Sequence, residues 1–279
     1  MFPCSAHSEA RIFAVGAVRK QQAGFTLVEM IFVVVILGII TSIGSGFLVS
    51  AMDSYRTAQV RNQIVQRGRL TLEQMSRELR MAVPSSVRTS ASGLCVEFMP
   101  IITATNYQGT LPDAENGRAA VNQISTGSFT FTPALAKHVL VAPFSPSDIY
   151  TNANPSARVG LGSLGSPPFV LLPLATSRVF LRNSLNRRLF IAADPVRFCI
   201  SGGHLWRYSN YGFSTSALGD GNPGGMGSLM AHSVAANGTA FQLSPGSQDR
   251  NMVVRMRLIF NNGSTSLQLH HQALVRNVP

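Results

Sequence analysis

Glu29 is the only charged side chain between Lys20 and Asp53. Around it runs a stretch, residues 25–52, that is otherwise apolar apart from glycines and small hydroxylated residues. A carboxylate inside a membrane helix costs on the order of 2.5–3.5 kcal/mol on insertion scales, less near the interface, and it ordinarily has a partner. The adjacent sequence offers a source of one. A cut after Gly24 would free an ammonium on Phe25, and the ammonium of a neighbouring molecule could neutralise Glu29 and fix the axial register of packed helices. The competing reading is a headgroup-level Glu with no role.

The remaining reactive residues do not converge. Gly160-Leu161-Gly162-Ser163-Leu164-Gly165 fits G-x-G-x-x-G, but a dinucleotide site needs a strand before it and a helix after it. Pro155 precedes it and Pro167-Pro168 follows, so a helix cannot start in time. His270 and His271 would point to opposite faces of a strand, which does not suit a shared metal. His138, His204 and His232 are isolated in sequence. No serine sits in G-x-S-x-G, and no Cys–His setting for nucleophilic catalysis is visible. The expectation is a chain with no catalytic residues, no metal and no cofactor.

The elements that would hold Glu29 follow from the same region. At 1.5 Å per residue, about 20 apolar residues cross a bilayer, so residues 25–52 are long enough. A secretory signal has a shorter apolar region, about 7–15 residues, followed by a small-residue cleavage site. Here the distinctive junction, Gly24-Phe25, comes first, so a cut there keeps the helix on the mature chain. Arg19 and Lys20 precede the span, which orients the N-terminus to the cytoplasm and the C-terminal bulk outside. Pro84 is the first proline after Pro3, so the helix is expected to continue to about Val83. Over residues 53–83 the pattern becomes amphipathic. Val65, Gly68, Leu72, Met75, Leu79 and Ala82 form one apolar stripe, suited to lying across a sheet. A free coiled coil is the alternative.

Residues 84–279 read as strand-rich. Residues 94–102, 129–131, 139–141, 169–172, 178–181, 189–192 and 196–200 are short β-prone segments between Pro-, Gly-, Ser- and Asn-rich clusters. Gly202-Gly203 suits a tight hairpin. The last hairpin is clearest, with Met252, Val254, Met256, Leu258 and Phe260 alternating with more polar positions before the Asn262-Gly263 turn. Residues 208–228, rich in Gly, Ser and Asn, read as a surface loop.

Charge excludes little. The formal charge of +11 falls to +9 when Arg11, Arg19, Lys20 and Glu9 are set aside with the first 24 residues. The arginines are spread along the chain, as on a general solvated surface, so no nucleic acid partner is expected. The rival reading is DNA binding through Arg182, Arg187 and Arg188 by salt-sensitive phosphate contacts. With Cys4 in the leader, Cys95 and Cys199 remain as an even pair in an exported chain, which favours a disulfide. Two buried thiols are the alternative.

The segment Lys20-Gln21-Gln22-Ala23-Gly24-Phe25-Thr26-Leu27-Val28-Glu29 resembles the class III signal of type IV pilins and type II secretion pseudopilins. The resemblance implies cleavage after Gly24 by a prepilin peptidase, N-methylation of Phe25 by the same enzyme, and an assembly role for Glu29. The 24-residue leader is long for the Phe-starting class, which points to a start codon downstream of Met1 or to an extended leader. A narrower resemblance, to the MshO-type minor pilins of mannose-sensitive haemagglutinin (MSHA) pilus systems, lies in five further segments. They are Ser76-Arg77-Glu78-Leu79-Arg80 with Pro84-Ser85-Ser86-Val87-Arg88, the run Cys95-Val96-Glu97-Phe98-Met99-Pro100-Ile101, Phe198-Cys199, Leu205-Trp206-Arg207-Tyr208, and Val275-Arg276-Asn277-Val278-Pro279.

The resemblance implies an α+β, type IV pilin-like fold, a long N-terminal α-helix packed on an antiparallel β-sheet domain. The expected organisation is a leader over residues 1–24, a transmembrane and assembly helix over 25–52, its amphipathic continuation over 53–83 and a periplasmic β-rich domain over 84–279. The expected location is the bacterial inner membrane, and the pilus after assembly. The expected partners are the prepilin peptidase/N-methyltransferase, other major and minor pilins, the inner-membrane assembly platform and membrane lipid. A minor pseudopilin of a type II secretion system is the nearest alternative, and a membrane-anchored periplasmic enzyme the most distant.

Overall fold

The computed structural model describes residues 24–244, 251–263 and 265–276. Residues 1–23 of the expected leader, with Cys4, Arg19 and Lys20, lie outside the described residues, as do Asn277, Val278 and Pro279. Two compact units divide the chain, Met1–Tyr55 and Arg56–Pro279.

One helix, α1 (Leu27–Arg80), supplies the described part of the first unit and enters the second. In the first unit every described residue of the helix is exposed, apolar ones included. In the second unit the helix buries Ile64, Gly68, Thr71, Leu72, Met75, Ser76 and Leu79. The stripe is thus the expected one, with Ile64 rather than Val65 at its start; Val65 is half-buried. Gly68 belongs to it for a steric reason. A Cβ there would lie 2.3 Å from Leu269 Cδ1 and 3.2 Å from the Phe260 ring, so the missing side chain sets how closely the last hairpin approaches the helix.

The helix stops three residues short of Val83. The Met81 and Ala82 amides bond back to Glu78 and Leu79 in a tightened last turn. Residues 81–83 then turn to a different partner. The Val83 amide donates to Met99 O at 2.8 Å, and the Ile101 amide to Met81 O at 2.8 Å. Pro84 does bar helix beyond 83, but pairing with residues 99–101 ends it sooner.

Two antiparallel sheets cover the helix. The first orders Arg88–Thr89, Cys95–Phe98, Val196–Ser201, His204–Ser209 and Met226–Ala231. The second centres on Met252–Asn262, which pairs with Val234–Ala235 and Phe241–Ser244 on one edge and with Thr265–Val275 on the other. Strand alternation puts Val96, Phe98, Phe198 and Leu205 of the first sheet, and Met252, Val254, Met256, Leu258 and Phe260 of the second, into one core with Leu72, Met75 and Leu79. An ion pair adds to this packing: Arg207 Nε donates to Glu78 Oε2 at 2.8 Å.

Two smaller sheets lie further along the chain. One orders Ile101–Asn106, Arg188–Ala192, His138–Val141 and Arg158–Gly160; the other pairs Val121–Phe129 with Phe169–Arg178. They share a second core that includes Ile124, Val139, Val159, Leu172, Leu189 and Ile191. The architecture is therefore α+β and pilin-like, a long N-terminal helix packed on antiparallel sheet.

Several element assignments need correction. Residues 94–102 form two strands, Cys95–Phe98 and Ile101–Asn106, which join different sheets. Of residues 178–181 only Arg178 is in a strand, as the end of Phe169–Arg178, and Phe180 makes an isolated bridge with Asp113. The expected loop 208–228 ends in a strand, Met226–Ala231, paired with His204–Ser209. The Gly160–Gly165 stretch leads into no helix. Instead the Gly162 amide donates to Pro173 O at 2.8 Å, and Leu161 bridges to Leu174.

Candidate processing and assembly site

The start of α1 is built by local chemistry. Gly24, Phe25 and Thr26 are non-helical and exposed, and the helix begins at Leu27. Thr26 caps it: Thr26 Oγ1 accepts a hydrogen bond from the Glu29 amide at 3.3 Å, and Thr26 O accepts from the Met30 amide at 3.3 Å. Thr26-Leu27-Val28-Glu29 is the sequence form of a capping box, with the acid at the third helical position. That signal was legible, and it adds Thr26 to the residues that matter here. It also places Glu29 in the first turn, where a carboxylate complements the helix dipole.

Gly24-Phe25 is therefore exposed, non-helical chain immediately before a helix. Among the described residues no cation pairs with the Glu29 carboxylate. The helix that follows is long and apolar enough to cross a membrane. A helix apolar on every face, and exposed on every face within its own chain, finds its partners in lipid or in other helices.

Cys95 and Cys199 are cross-strand neighbours in direct register, and they form a disulfide, which excludes the free-thiol alternative. Both are fully buried. Tyr208, Leu218, Trp206 and Tyr211 pack around the bond, so part of the loop expected on the surface instead covers the outer face of the first sheet.

The histidines separate into different surroundings. His270 is exposed, whereas its neighbour His271 is half-buried on the other face of the same strand. His204 and His232 stand edge to face with ring centres 5.3 Å apart. Among the described residues no three His, Cys, Asp or Glu side chains gather as a metal site would require. Arg182, one of the three arginines considered for phosphate contacts, is committed to Asp148 at 2.7 Å and to the carbonyl of Ala142 at 3.1 Å. The Arg182 guanidinium also lies over the Phe144 ring.

His138, isolated in sequence, is not isolated in space. Arg158 Nη1 lies 3.2 Å from His138 Nδ1, and His138 Nε2 lies 2.9 Å from Asp194 Oδ1. A guanidinium can only donate, so Nδ1 must carry a lone pair and Nε2 the proton. The imidazole is neutral. Burial, reinforced by Arg158 and Lys137, holds its pKa below the usual 6.5, although Asp194 pulls the other way. Burial also lowers Arg158, to about 10, so it stays protonated at neutral pH. The unfolded chain therefore binds this proton at a higher pH than the folded one. Stability from this site is complete above pH 6.5 and is lost as pH falls from 6.5 through the folded pKa. Urea midpoints of the wild-type protein should fall between pH 7 and pH 5, and a His138→Gln variant should show a smaller fall over the same range.

Residues 19–45 match the family described as the prokaryotic N-terminal methylation motif. The match includes Gly24, Phe25 and Glu29 and extends into the apolar part of α1. No curated protein and no solved structure matches the chain.

Proposed function

We propose that this chain is a minor, low-copy pilin that takes part in assembling an MSHA-type type IV pilus, a reading supported by the N-terminal methylation motif over residues 19–45. Its role on this reading is structural, not catalytic. Residues 1–24 are the leader, 25–52 the membrane and assembly segment, 53–83 the amphipathic continuation of the helix, and 84–279 the periplasmic domain. The prepilin peptidase cuts between Gly24 and Phe25 and methylates Phe25. The subunit waits in the inner membrane with its N-terminus cytoplasmic, then enters the pilus by packing its helix among those of other pilins. Glu29 meets the N-terminal ammonium of a neighbour.

The observation that carries this reading is the order of features: an exposed Gly24-Phe25 junction, then a capped helix start, then Glu29 in the first turn of an apolar helix. The energetic reasoning supports it. A carboxylate near one end of a bilayer span is costly alone and is stabilised by a fixed cation. The MSHA assignment rests on the similarity of the Ser76–Arg80, Cys95–Ile101 and Leu205–Tyr208 segments to MshO-type minor pilins. A minor pseudopilin of a type II secretion system shares the same motif, and the genes beside this one separate the two.

Mass spectrometry of the protein purified from membranes tests the reading. The expected mature N-terminus is methylated Phe25. Any other N-terminus overturns the proposed processing. A Glu29→Leu variant should be cut and inserted normally yet fail to enter the assembly. Normal co-assembly of that variant with the other subunits would remove Glu29 from the mechanism.

A further inference from the structure

The strand Thr265–Val275 is paired along its whole length with Met252–Asn262 on one side. On its other side, among the described residues, no strand pairs with it. This edge is eleven residues long and contains no Lys, Arg, Asp, Glu or Pro. Sheets ordinarily protect such an edge with charge, proline or a covering segment, because its free amides and carbonyls accept another strand.

At Leu269, His270 and His271 the strand borders a cavity of about 800 Å³ shared with the C-terminal part of α1. Two buried polar atoms of its lining residues have no partner: Ser76 Oγ, in a side chain only 3% exposed, and His271 Nε2. Buried polar atoms ordinarily have partners, so two unpaired ones among the residues of one cavity mark it as incompletely satisfied. A second cavity, of about 440 Å³, shares Arg80 and Met81 with the first. It continues the trough past the helix end to the edge strand Ile101–Asn106.

The charge of the trough is one-sided. Arg69, Arg77, Arg80, Arg188 and Arg276 line the two cavities against a single carboxylate, Glu73. Arg77 and Arg80 lie in the last turn of α1, where cations complement the helix dipole. That explanation does not reach Arg69, Arg188 or Arg276.

We propose that this trough is a docking site for an extended, acidic peptide segment of another subunit, added as a strand to the Thr265–Val275 edge with its carboxylates toward the arginines. Main-chain hydrogen bonds along the edge supply affinity, and the arginines and the Ser76–His271 pair select for acidic and polar side chains. That the partner is a fellow subunit rests on the pilin reading; the strand-addition chemistry does not.

The test uses the full processed chain in detergent micelles and a labelled peptide of alternating valine and glutamate, about as long as the eleven-residue edge. Fluorescence anisotropy should show binding that weakens about tenfold or more in an Arg69→Glu/Arg276→Glu variant; both residues are exposed, so the fold should survive. Hydrogen exchange should slow, when the peptide binds, at those amides of residues 265–275 that point away from Met252–Asn262. Equal binding of a peptide with lysine in place of glutamate would overturn the proposal. So would slow exchange at those outward amides without peptide, because the chain's own segments would then cover the edge. Binding to vesicles of anionic lipid without binding to the peptide would assign the trough to a membrane surface and also overturn it. None of these outcomes bears on whether Phe25 is the mature N-terminus.

Discussion

Replacing Glu97 by alanine is expected to lower the unfolding free energy by about 3–5 kcal/mol, the range for removing one partner from a buried ionic cluster. Glu97 is 1% exposed. Its Oε1 accepts from Arg88 Nε at 2.8 Å and Nη2 at 2.6 Å, and its Oε2 from Arg197 Nη2 at 2.9 Å and the Tyr211 hydroxyl at 2.8 Å. Burial and Glu97 itself push the Tyr211 pKa up, so the phenol stays a donor. The substitution leaves two guanidiniums facing each other with no anion between them. Arg88 is further tied to the carbonyl of Ser216 at 2.8 Å and lies over the Tyr150 ring at 3.7 Å. The damage should therefore spread into the loop 210–225. Urea unfolding of the full chain would measure it. Glu97→Gln should be milder, because it keeps the shape and some of the hydrogen bonds. A triple variant, Glu97→Leu with Arg88→Met and Arg197→Met, should recover much of the loss, since an apolar cluster of similar volume is often neutral or better. Equal loss in the triple variant would mean that packing, not charge, is what Glu97 supplies.

This cluster also shows where sequence reading ends. Glu97 is separated from its partners by 9, 100 and 114 residues, and nothing local marks an acid within a β-prone run as the centre of an ionic network. What fixes the cluster is register: Glu97 opposes Arg197 and Arg88 across adjacent strand pairs. The elements that could be read were those whose periodicity is set by one buried face. The alternation from Met252 to Phe260 and the stripe on α1 are of this kind, and both pack into the same core. The strands that could not be read, Val121–Phe129 and Met226–Ala231, are polar or small in sequence and largely exposed. Pairing with a partner strand holds them rather than burial of their own side chains, so they carry little period-two signal. The N-terminal site divides in the same way. The motif that contains Gly24, Phe25 and Glu29 was legible because it is local in sequence. The trough along Thr265–Val275 was not, because an open edge is a property of the sheet order and not of the strand.

Removing the Cys95–Cys199 bond with a Cys95→Ala/Cys199→Ala variant is expected to destabilise the sheet domain by about 4–5 kcal/mol at most, from the loop-entropy relation and a separation of 104 residues. For a domain of this size that corresponds to a fall in melting temperature on the order of 10–15 °C. The bond's position favours the full effect. It joins two strands of the sheet that packs on α1, and the closed loop contains both smaller sheets. In the unfolded chain the bond therefore restricts more than a third of the sequence. The double variant is preferable to a single one, because a lone Cys199 could cross-link two chains. Thermal unfolding of the oxidised, reduced and double-variant proteins should place the last two together and well below the first. Equal melting of all three would show that the reduced, unfolded chain retains enough structure to offset the lost constraint. On the proposed topology the consequence is directional. A thiol pair crosses the membrane and the bond forms only in the oxidising compartment, so the sheet domain reaches its full stability after it has left the cytoplasm, while only the N-terminal, apolar part of α1 stays behind in the bilayer to be assembled.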